Sequence, residues 1–360
     1  MKICYIFSNF HLAHITGQPA TIFKLARYAA KKEKKVYLIS NTPHEVQSNE
    51  DGIKFFLIKG LGDFKTYFLN ILKLIKYLRT VKPDIIHVHG YLLTIFVWIL
   101  NRFFNTPLVC SVCEALDIVN IFYKKFIIFC LTYSELIFVT SEYIKRQLIK
   151  SGVPSGKIIV VRIGLDEKFL IERNGSLSDT DILYYGDSIV ERGFDIIFHL
   201  AQRLPHLKFK ILLRWEGENC SHELEQMKKM PNVIIRHYPY SESLEQLILK
   251  SKLVVLPYRW IGVRPPLSLV ESMGLGKCVV TSTMDGNEEL IKNWFNGIIA
   301  NFDKLDDITS EISVLIKNDK QWEDIGRQAK MTIKQMYSSA EYDKILSEYS
   351  AVLKLKGRLE

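Results

Sequence analysis

The strongest constraint on the fold is a rhythm in which short apolar segments alternate with longer segments of helical periodicity. The series starts with the strand-like KICYIFSN and continues through the amphipathic PATIFKLARYAAKK and TYFLNILKLIKYLRTVK to KIIVVRIG. Strands that alternate with helices favour a parallel sheet covered on both faces. The chain is therefore predicted to be an α/β protein built from Rossmann-like, doubly wound domains.

A polar segment at about 167–180, EKFLIERNGSLSDT, interrupts this rhythm, which restarts at DILYYG. Such a Gly- and Ser-containing break is typical of a linker, and 360 residues suit two domains. We predict one Rossmann-like domain over residues 1–170 and a second over 176–335. Residues 336–360 are predicted to form a helix that crosses back to the first domain. Ligands of such folds bind at the carboxyl ends of the strands.

The charge is unevenly distributed along the chain, whose net charge is +9. Residues 1–170 contain 23 Lys and Arg against 12 Asp and Glu, whereas the remainder is near neutral. A basic half predicts an anionic partner, either a membrane surface or a phosphate-bearing acceptor. No nucleic-acid recognition motif is present, so nucleic acid is not an expected partner.

Two basic segments are candidates for that contact, and each is also explained by ordinary solvation. The helical segment 65–82 carries a basic face in which aromatic residues are interleaved. A shorter run lies earlier in the chain, at 31–35. The residues concerned are Lys65, Lys73, Lys76, Arg79, Lys82, Phe64, Tyr67, Phe68 and Tyr77, with Lys31, Lys32, Lys34 and Lys35 in the shorter run. An interfacial patch is one interpretation; a solvated face is the other.

The apolar segments predict a cytoplasmic protein that touches the membrane only at its surface. Residues 2–8 suit a first strand better than a signal peptide. The longest apolar run, YLLTIFVWIL at 91–100, has about half the length that a bilayer requires. The six cysteines lie mostly in apolar stretches and are expected to be buried. No metal site is predicted. Asp179 and Asp181 have the spacing of a metal-binding motif, but they precede a strand instead of following one, and we interpret them as solvated.

Five segments in a fixed order resemble the retaining glycosyltransferases of family four, which have the GT-B fold. They are PDIIHVHG, SELIFVTSEYIKRQL, KIIVVRIGLDEKF, YYGDSIVERGFDIIFHLA and ESMGLGKCVVTSTMDGNEELI. The resemblance implies two Rossmann-like domains facing each other across a cleft, with the acceptor on the first domain and a nucleotide sugar on the second. It implies transfer of a hexose from a UDP- or GDP-linked donor to a glycan or lipid-linked acceptor, with retention of configuration. No cofactor and no bound metal are implied.

The donor site is expected around the helix that begins near Leu267. A helix start offers free N–H groups and a positive dipole end to a diphosphate, which places Leu267, Ser268 and Leu269 near it. The resemblance implies that Glu271 holds the ribose hydroxyls. The alternative for Glu271 is a solvated or paired helix carboxylate.

Four further residues complete the expected donor contacts. Arg192 matches the family's second phosphate-binding cation and suits a bidentate contact. Gly186 allows the backbone to approach closely. The resemblance places Glu289 in the family's glycine-then-glutamate loop, where the alternative is an acid-rich helix start, NEELIKN. In the first domain, relatives have a glycine pair before the first helix, and this chain keeps only one of the two, Gly17.

The same region departs from the family at three positions. Val263 stands where the first of two glutamates is usual, and Arg264-Pro265-Pro266 follow in place of glycines. Asp187 replaces the first phosphate-binding arginine and would repel a diphosphate unless a neighbour pairs with it. Cys113 replaces a histidine. Arg264 either directs charge to a phosphate or is a surface arginine. The departures motivate an alternative function: a non-catalytic nucleotide-sugar-binding relative, or a partner subunit of an active enzyme.

Candidate catalytic residues lie in the first domain. We interpret His87 and His89 of HVHG as facing opposite sides of the sheet, and His89, nearer the strand's end, as the better candidate. Glu114 follows Cys113 and is a candidate to supply the missing polar contact. His11 and His14 are candidate acceptor contacts or loop surface.

Overall fold

The alternation read from the sequence is present in the structure, a computed structural model. It describes residues 1–7, 17–41, 52–58, 61, 67–116, 120–172, 178–260, 262–284 and 286–358, with the backbone alone at 17–20, 67–69 and 121–122. The chain divides into two compact units. The first comprises Met1–Gly164 and Tyr337–Glu360, and the second comprises Leu165–Met336.

The strands are short and rich in branched apolar residues, as a sheet buried on both faces requires. In chain order they are β1 (Lys2–Ile6), β2 (Lys35–Ser40), β3 (Ile53–Leu57), β4 (Ile85–His89), β5 (Leu108–Val112), β6 (Leu136–Val139), β7 (Ile158–Val160), β8 (Thr180–Ser188), β9 (Phe209–Glu216), β10 (Val233–His237), β11 (Ser251–Leu256), β12 (Cys278–Ser282) and β13 (Ile298–Ala300).

The helices fill the segments between the strands. They are α1 (Gly17–Lys31), α2 (Tyr67–Val81), α3 (Tyr91–Asn101), α4 (Ile121–Thr132), α5 (Glu142–Lys150), α6 (Phe194–Arg203), α7 (Ser221–Met227), α8 (Leu244–Leu249), α9 (Leu267–Gly274), α10 (Leu305–Leu315), α11 (Asp319–Met336) and α12 (Ala340–Leu355).

The first unit contains a seven-stranded sheet in the order β3-β2-β1-β4-β5-β6-β7, in which the neighbouring strands are parallel. One apolar layer joins α2, α3, α4 and α5 to one face of this sheet. A second layer joins α1 and α12 to the other face. The last helix therefore belongs to the core of the first unit, where Tyr349 is fully buried.

The second unit contains a six-stranded parallel sheet in the order β10-β9-β8-β11-β12-β13. Its main core cluster includes Phe194 of α6, Phe209 of β9 and Trp322 of α11. Both units are thus parallel sheets covered by helices, which confirms the predicted α/β class with two Rossmann-like domains.

Three helices predicted in the tail, at about 306–317, 320–336 and 339–354, are confirmed as α10, α11 and α12. The short helix predicted over NEELIKN is wrong, because residues 286–290 form turns. The Asn296 side chain explains the difference. Its amide accepts from the N–H of Lys292 at 2.7 Å and donates to the carbonyl of Leu290 at 2.9 Å. These two backbone groups are therefore not available for the hydrogen bonds of a helix.

The basic segment at 65–82 forms α2 over its described part. Lys73, Lys76, Arg79 and Lys82 are exposed. Tyr77 packs instead against Phe56 of β3, with ring centroids 4.5 Å apart. Phe64 and Lys65 lie outside the described residues, as do the side chains of Tyr67 and Phe68. No helix in the described ranges has both the length and the hydropathy needed to cross a bilayer.

Candidate functional site

The second unit has a topological switch point between β8 and β11. From β8 the chain adds β9 and β10 on one side of the sheet, and from β11 it adds β12 and β13 on the other side. The connections of these two neighbouring strands therefore run in opposite directions. In open parallel sheets, ligands bind outside the carboxyl ends of the strands at such a point. Here those ends carry Gly186 and Asp187 from β8, and β11 leads through Tyr258 towards α9.

The first turn of α9 is fixed to β8 by the side chain of Tyr185. Its hydroxyl donates to the carbonyl of Ser268 at 2.5 Å and lies 3.0 Å from the Ser272 hydroxyl. Burial, and secondarily the charge of Glu271, raises the pKa of Tyr185 well above its usual value. The phenol therefore stays protonated and remains a donor. The N–H groups of Leu267 and Ser268 precede the first intrahelical hydrogen bond, which Leu269 donates to Pro266 at 3.1 Å.

Glu271 lies one turn into α9 and is partly exposed. Its carboxylate lies 3.4 Å from the Tyr185 hydroxyl, a weak second contact because the single proton of that hydroxyl is donated to the Ser268 carbonyl. The helix predicted to carry Glu271 is confirmed as α9, whereas the role of Glu271 in holding the ribose stays a prediction. Neither Tyr185 nor its anchoring role was predicted, although Tyr185 stands immediately before Gly186 in the quoted YYG motif.

Asp187 is paired, which answers the question that its sequence position raised. The Arg214 guanidinium on β9 donates to both carboxylate oxygens, from Nε at 3.0 Å and from Nη2 at 2.6 Å. A bulge between Gly186 and Asp187 shifts the register of β8 against β9, and such a bulge re-aims the side chains that follow it. Arg214 gives no motif signal in the sequence, since its partner lies 27 residues away on another strand.

Arg192 ends a 3-10 turn, Val190–Arg192, at the same edge of the sheet. Its Nε lies 4.0 Å from the Asp187 carboxylate, and its guanidinium lies 5.6 Å from the centre of the Tyr258 ring. The next residue, Gly193, adopts φ 71°, and an added Cβ would lie 1.9 Å from the carbonyl oxygen of Pro257. Only glycine allows this close approach between the turn and the end of β11.

Arg192 lines an open depression of about 560 Å³ on the second unit. Asp187, Asn219 and the rings of Trp215 and Trp260 also line it. The two tryptophans are 42% and 44% exposed, respectively. The volume falls in the range of small-molecule sites, roughly 300–1,000 Å³. Both tryptophans were missed by the sequence predictions.

Arg264 is buried, with 4% of its surface exposed. The interpretation of Arg264 as a surface arginine is therefore wrong. Gly286 packs on it, since a Cβ added to Gly286 would lie 3.1 Å from the Cβ of Arg264. Glu289 lies in the turns that follow Gly286 and is partly exposed. Asp285, quoted in the same loop, lies outside the described residues.

The candidate histidines of the first unit share one face of β4. The rings of His87 and His89 stack with centroids 4.3 Å apart. The interpretation that they face opposite sides is wrong, because residues two apart on a strand point to the same face. His87 is held by the hydroxyls of Tyr349 on α12 and of Ser111, the latter at 2.7 Å. His87 is thus a structural residue of the core.

His89 and Glu114 come together at one small cavity of about 10 Å³, which Thr21 and Cys113 also line. That volume is close to the space of one water molecule. The Nε2 of His89 is buried without a hydrogen-bond partner among the described residues. Burial lowers the pKa of His89 to about 3, so its imidazole is neutral near pH 7. Gly17 begins α1, whereas His11 and His14 lie outside the described residues.

Asp179 and Asp181 each form an ion pair with a lysine and are not simply solvated. Asp179 lies 2.9 Å from the ammonium of Lys210, and Asp181 lies 3.1 Å from that of Lys252. Among the described residues, no group of three or more His, Cys, Asp and Glu side chains is arranged to hold a metal ion.

Two family models match the chain in succession. The model for glycosyltransferase family 4 matches residues 15–169, and that for glycosyl transferases group 1 matches 166–332. An uncharacterized glycosyltransferase of Methanocaldococcus jannaschii is 24% identical over 300 residues, covering 76% of this chain and 69% of the relative. The N,N'-diacetylbacillosaminyl-diphospho-undecaprenol alpha-1,3-N-acetylgalactosaminyltransferase of Campylobacter jejuni is 22% identical over 209 residues, covering 58% of this chain and 54% of the relative.

Among solved structures, the Anabaena protein Alr3699/HepE in complex with UDP-glucose has the same fold. It superimposes with a TM-score of 0.79 at 15% identity, covering 98% of this chain and 99% of the other.

Two Rossmann-like domains that superimpose over 98% of the chain on the Anabaena protein show a GT-B fold. With both family models matched in order, the chain belongs to glycosyltransferase family 4.

Proposed function

We propose that this protein transfers a hexose from a UDP- or GDP-linked sugar to a hydroxyl of a glycan or lipid-linked acceptor. The observation that carries the proposal is the placement of Glu271 and the start of α9 at the switch point of the second unit. The Anabaena neighbour was solved with UDP-glucose, and the Campylobacter relative is named for a diphospho-undecaprenol acceptor. Both support the classes of donor and acceptor proposed here.

In this proposal the donor diphosphate lies against the N–H groups of Leu267 and Ser268, with Leu269 next to them in the first turn of α9. A helix N-terminus stabilises negative charge there, and the charge of the leaving diphosphate grows during transfer. Arg192 adds a guanidinium at the same edge. Gly186 leaves room for the backbone to approach the phosphates. Arg264, buried against Gly286, adds positive charge from beneath the loop that also carries Glu289.

Glu271 accepts hydrogen bonds from the two ribose hydroxyls. The Tyr185 hydroxyl, 3.4 Å from its carboxylate, orients the side chain before the donor arrives. Because Tyr185 also anchors the Ser268 carbonyl, one phenol sets both the phosphate-binding turn and the ribose-binding carboxylate. Pre-positioning of this kind lowers the entropic cost of binding.

On the first unit, the acceptor hydroxyl is placed at the cavity of His89 and Glu114, near Gly17. The neutral imidazole of His89 can exchange a hydrogen bond with one hydroxyl, which is the group that the cavity can hold. The bond from the anomeric carbon to the diphosphate breaks as the acceptor oxygen bonds to that carbon on the same face, which gives retention. The acceptor proton passes to the departing diphosphate, with no side-chain nucleophile and no bound metal. We place the enzyme in the cytoplasm, at the membrane face when the acceptor is lipid-linked.

The test is a thermal-shift screen against UDP, GDP, ADP and their sugars, followed by a transfer and hydrolysis assay with the donors that bind. We expect UDP or GDP to raise the unfolding temperature. Glu271→Ala is expected to remove most of that shift, whereas Glu288→Ala, an exposed neighbour of the Glu289 loop, is the matched control and should retain it.

Two results would contradict the proposal in different ways. A nucleotide shift that survives Glu271→Ala would put the donor elsewhere. Nucleotide binding without turnover of any donor, in the presence of glycan and lipid-linked acceptors, would favour a non-catalytic sugar-nucleotide-binding protein.

A further inference from the structure

The helical layer formed by α2, α3 and α4 exposes an unusual amount of apolar surface to solvent. Phe103, in the turn after α3, is 78% exposed, and Tyr133, directly after α4, is 58% exposed. We define the aromatic face as Trp98, Phe103, Tyr123, Phe126, Phe129 and Tyr133. Contiguous exposed apolar surface of this kind marks an interaction site in soluble proteins.

Four rings of the aromatic face, those of Trp98, Phe126, Phe129 and Tyr133, form a connected cluster. The Trp98 ring contacts Phe129 edge-on at 5.2 Å and Phe126 at 6.3 Å. Phe129 in turn lies 4.6 Å from Tyr133. Among the described residues nothing fully covers Phe126, Phe129 and Tyr133, which are 39%, 43% and 58% exposed, respectively. Trp98 is half-buried.

Cations surround the aromatic face, and carboxylates are missing from the helices that build it. The residues of α2, α3 and α4 include five Lys and Arg and no Asp or Glu. Lys125 is exposed beside Phe126 and Phe129, Lys124 is half-buried, and the Arg102 guanidinium lies 5.5 Å above Trp98. The exposed cations of α2 extend from the same side of the sheet, because α2, α3 and α4 share one apolar layer.

We propose that the aromatic face is a docking surface for an anionic lipid bilayer. Trp and Tyr rings prefer the headgroup level of a membrane, and Lys and Arg beside them attract anionic lipids. A second copy of this chain is a poorer occupant, because a two-fold contact places each patch against itself. The same uncompensated cations would then face one another, whereas lipid phosphates neutralise them.

This surface differs from the one that the sequence indicated. The aromatic residue of α2 that is described, Tyr77, packs inward, so α2 contributes charge and α3 and α4 contribute the apolar contact. The inference goes beyond the proposed transfer reaction, since it requires neither donor nor acceptor.

The test is co-sedimentation of the full chain with phosphatidylglycerol/phosphatidylcholine vesicles and with vesicles of phosphatidylcholine alone, without any nucleotide sugar. We expect binding to the anionic vesicles that weakens with added salt. Lys124→Gln and Lys125→Gln together should weaken it by roughly 5-fold per lysine. Phe103→Ser should weaken it by about tenfold or more, because its ring no longer enters the headgroup layer.

Matched variants lie on the second unit. Lys228→Gln with Lys229→Gln changes an adjacent lysine pair, and Phe295→Ser changes a half-exposed phenylalanine, so all three should bind as the wild type does. A cooperative thermal unfolding transition close to that of the wild type shows that each variant is folded. Because this control needs no nucleotide, a failure of vesicle binding stays separate from a failure of the donor site.

Equal binding to both vesicle types, unchanged binding by the face variants, or no binding would overturn the proposal. So would a dimer, detected by analytical ultracentrifugation, that Phe103→Ser disperses while vesicle binding is absent. In that case the occupant is a second copy of this chain.

Discussion

Asp187 and Arg214 form a two-point ion pair across β8 and β9, at the edge of the sheet where the donor diphosphate is proposed to bind. The Asp187 side chain is 8% exposed and that of Arg214 is 32% exposed. The pair keeps an anionic side chain from opposing an anionic ligand. It also adds a guanidinium from a strand that carries no recognisable phosphate motif.

Arg214→Ala is expected to lower both stability and nucleotide affinity, because it leaves the Asp187 carboxylate uncompensated near the diphosphate. We expect a loss of roughly 1–3 kcal/mol in the free energy of unfolding. Denaturant titration and calorimetric titration with the best-binding nucleotide measure the two effects. Asp187→Asn in the Arg214→Ala background should recover part of both losses. An additive double variant would show that the two residues are not coupled.

Arg192→Gln is expected to weaken nucleotide binding by about tenfold, the size of one charge-assisted hydrogen bond. The salt dependence of binding should become shallower, since one charge contact is lost. Arg203→Gln is the matched control, because Arg203 lies on α6 and pairs with Asp306. An unchanged affinity in Arg192→Gln would remove this arginine from the donor site.

Gly193→Ala is expected to destabilise the second unit by roughly 2–4 kcal/mol. The new Cβ would meet the Pro257 carbonyl at 1.9 Å in a left-handed backbone conformation. The comparison is Gly156→Ala, where no atom lies within 4 Å of the added Cβ and the change should be within about 0.5 kcal/mol. Thermal unfolding measures both, and similar values for the two variants would refute the close approach.

His89 should make stability depend on pH in the acid range. Its folded pKa of about 3 is below the usual histidine value, so the unfolded chain binds the additional proton between those limits. Stability from this group is complete above about pH 6.5 and falls as the pH decreases towards 3, by roughly 1.4 kcal/mol per pH unit. His89→Gln should make the slope shallower by the part that His89 contributes, whereas the buried His87, whose pKa is also lowered, keeps the remainder. The exposed His222→Gln should leave the slope unchanged. If both variants keep the wild-type slope, His89 does not stay neutral in the folded chain.

Periodicity sufficed for the local elements. The apolar repeats of α10, α11 and α12 and the branched apolar runs of the strands specify helix or strand from neighbours within a few residues, and the structure agrees there. Residues of a single continuous motif, such as Leu267 to Glu271, could be assigned together because one helix carries them all. The turns at 286–290 could not be predicted from the pattern of NEELIKN. The side chain of Asn296, which follows that segment, bonds to the backbone groups of Lys292 and Leu290 that a helix would use.

By itself, the sequence determined the α/β class, the two-fold recurrence of the Rossmann-like pattern, the family and the helix that carries Glu271. The tertiary structure alone decided which side chains meet. It paired Asp187 with Arg214, buried Arg264, stacked His87 on His89, and left Phe126, Phe129 and Tyr133 partly in solvent. The reason is physical: helix and strand patterns depend on contacts close in the chain, whereas these pairings depend on strand order and on which helices cover which face of a sheet.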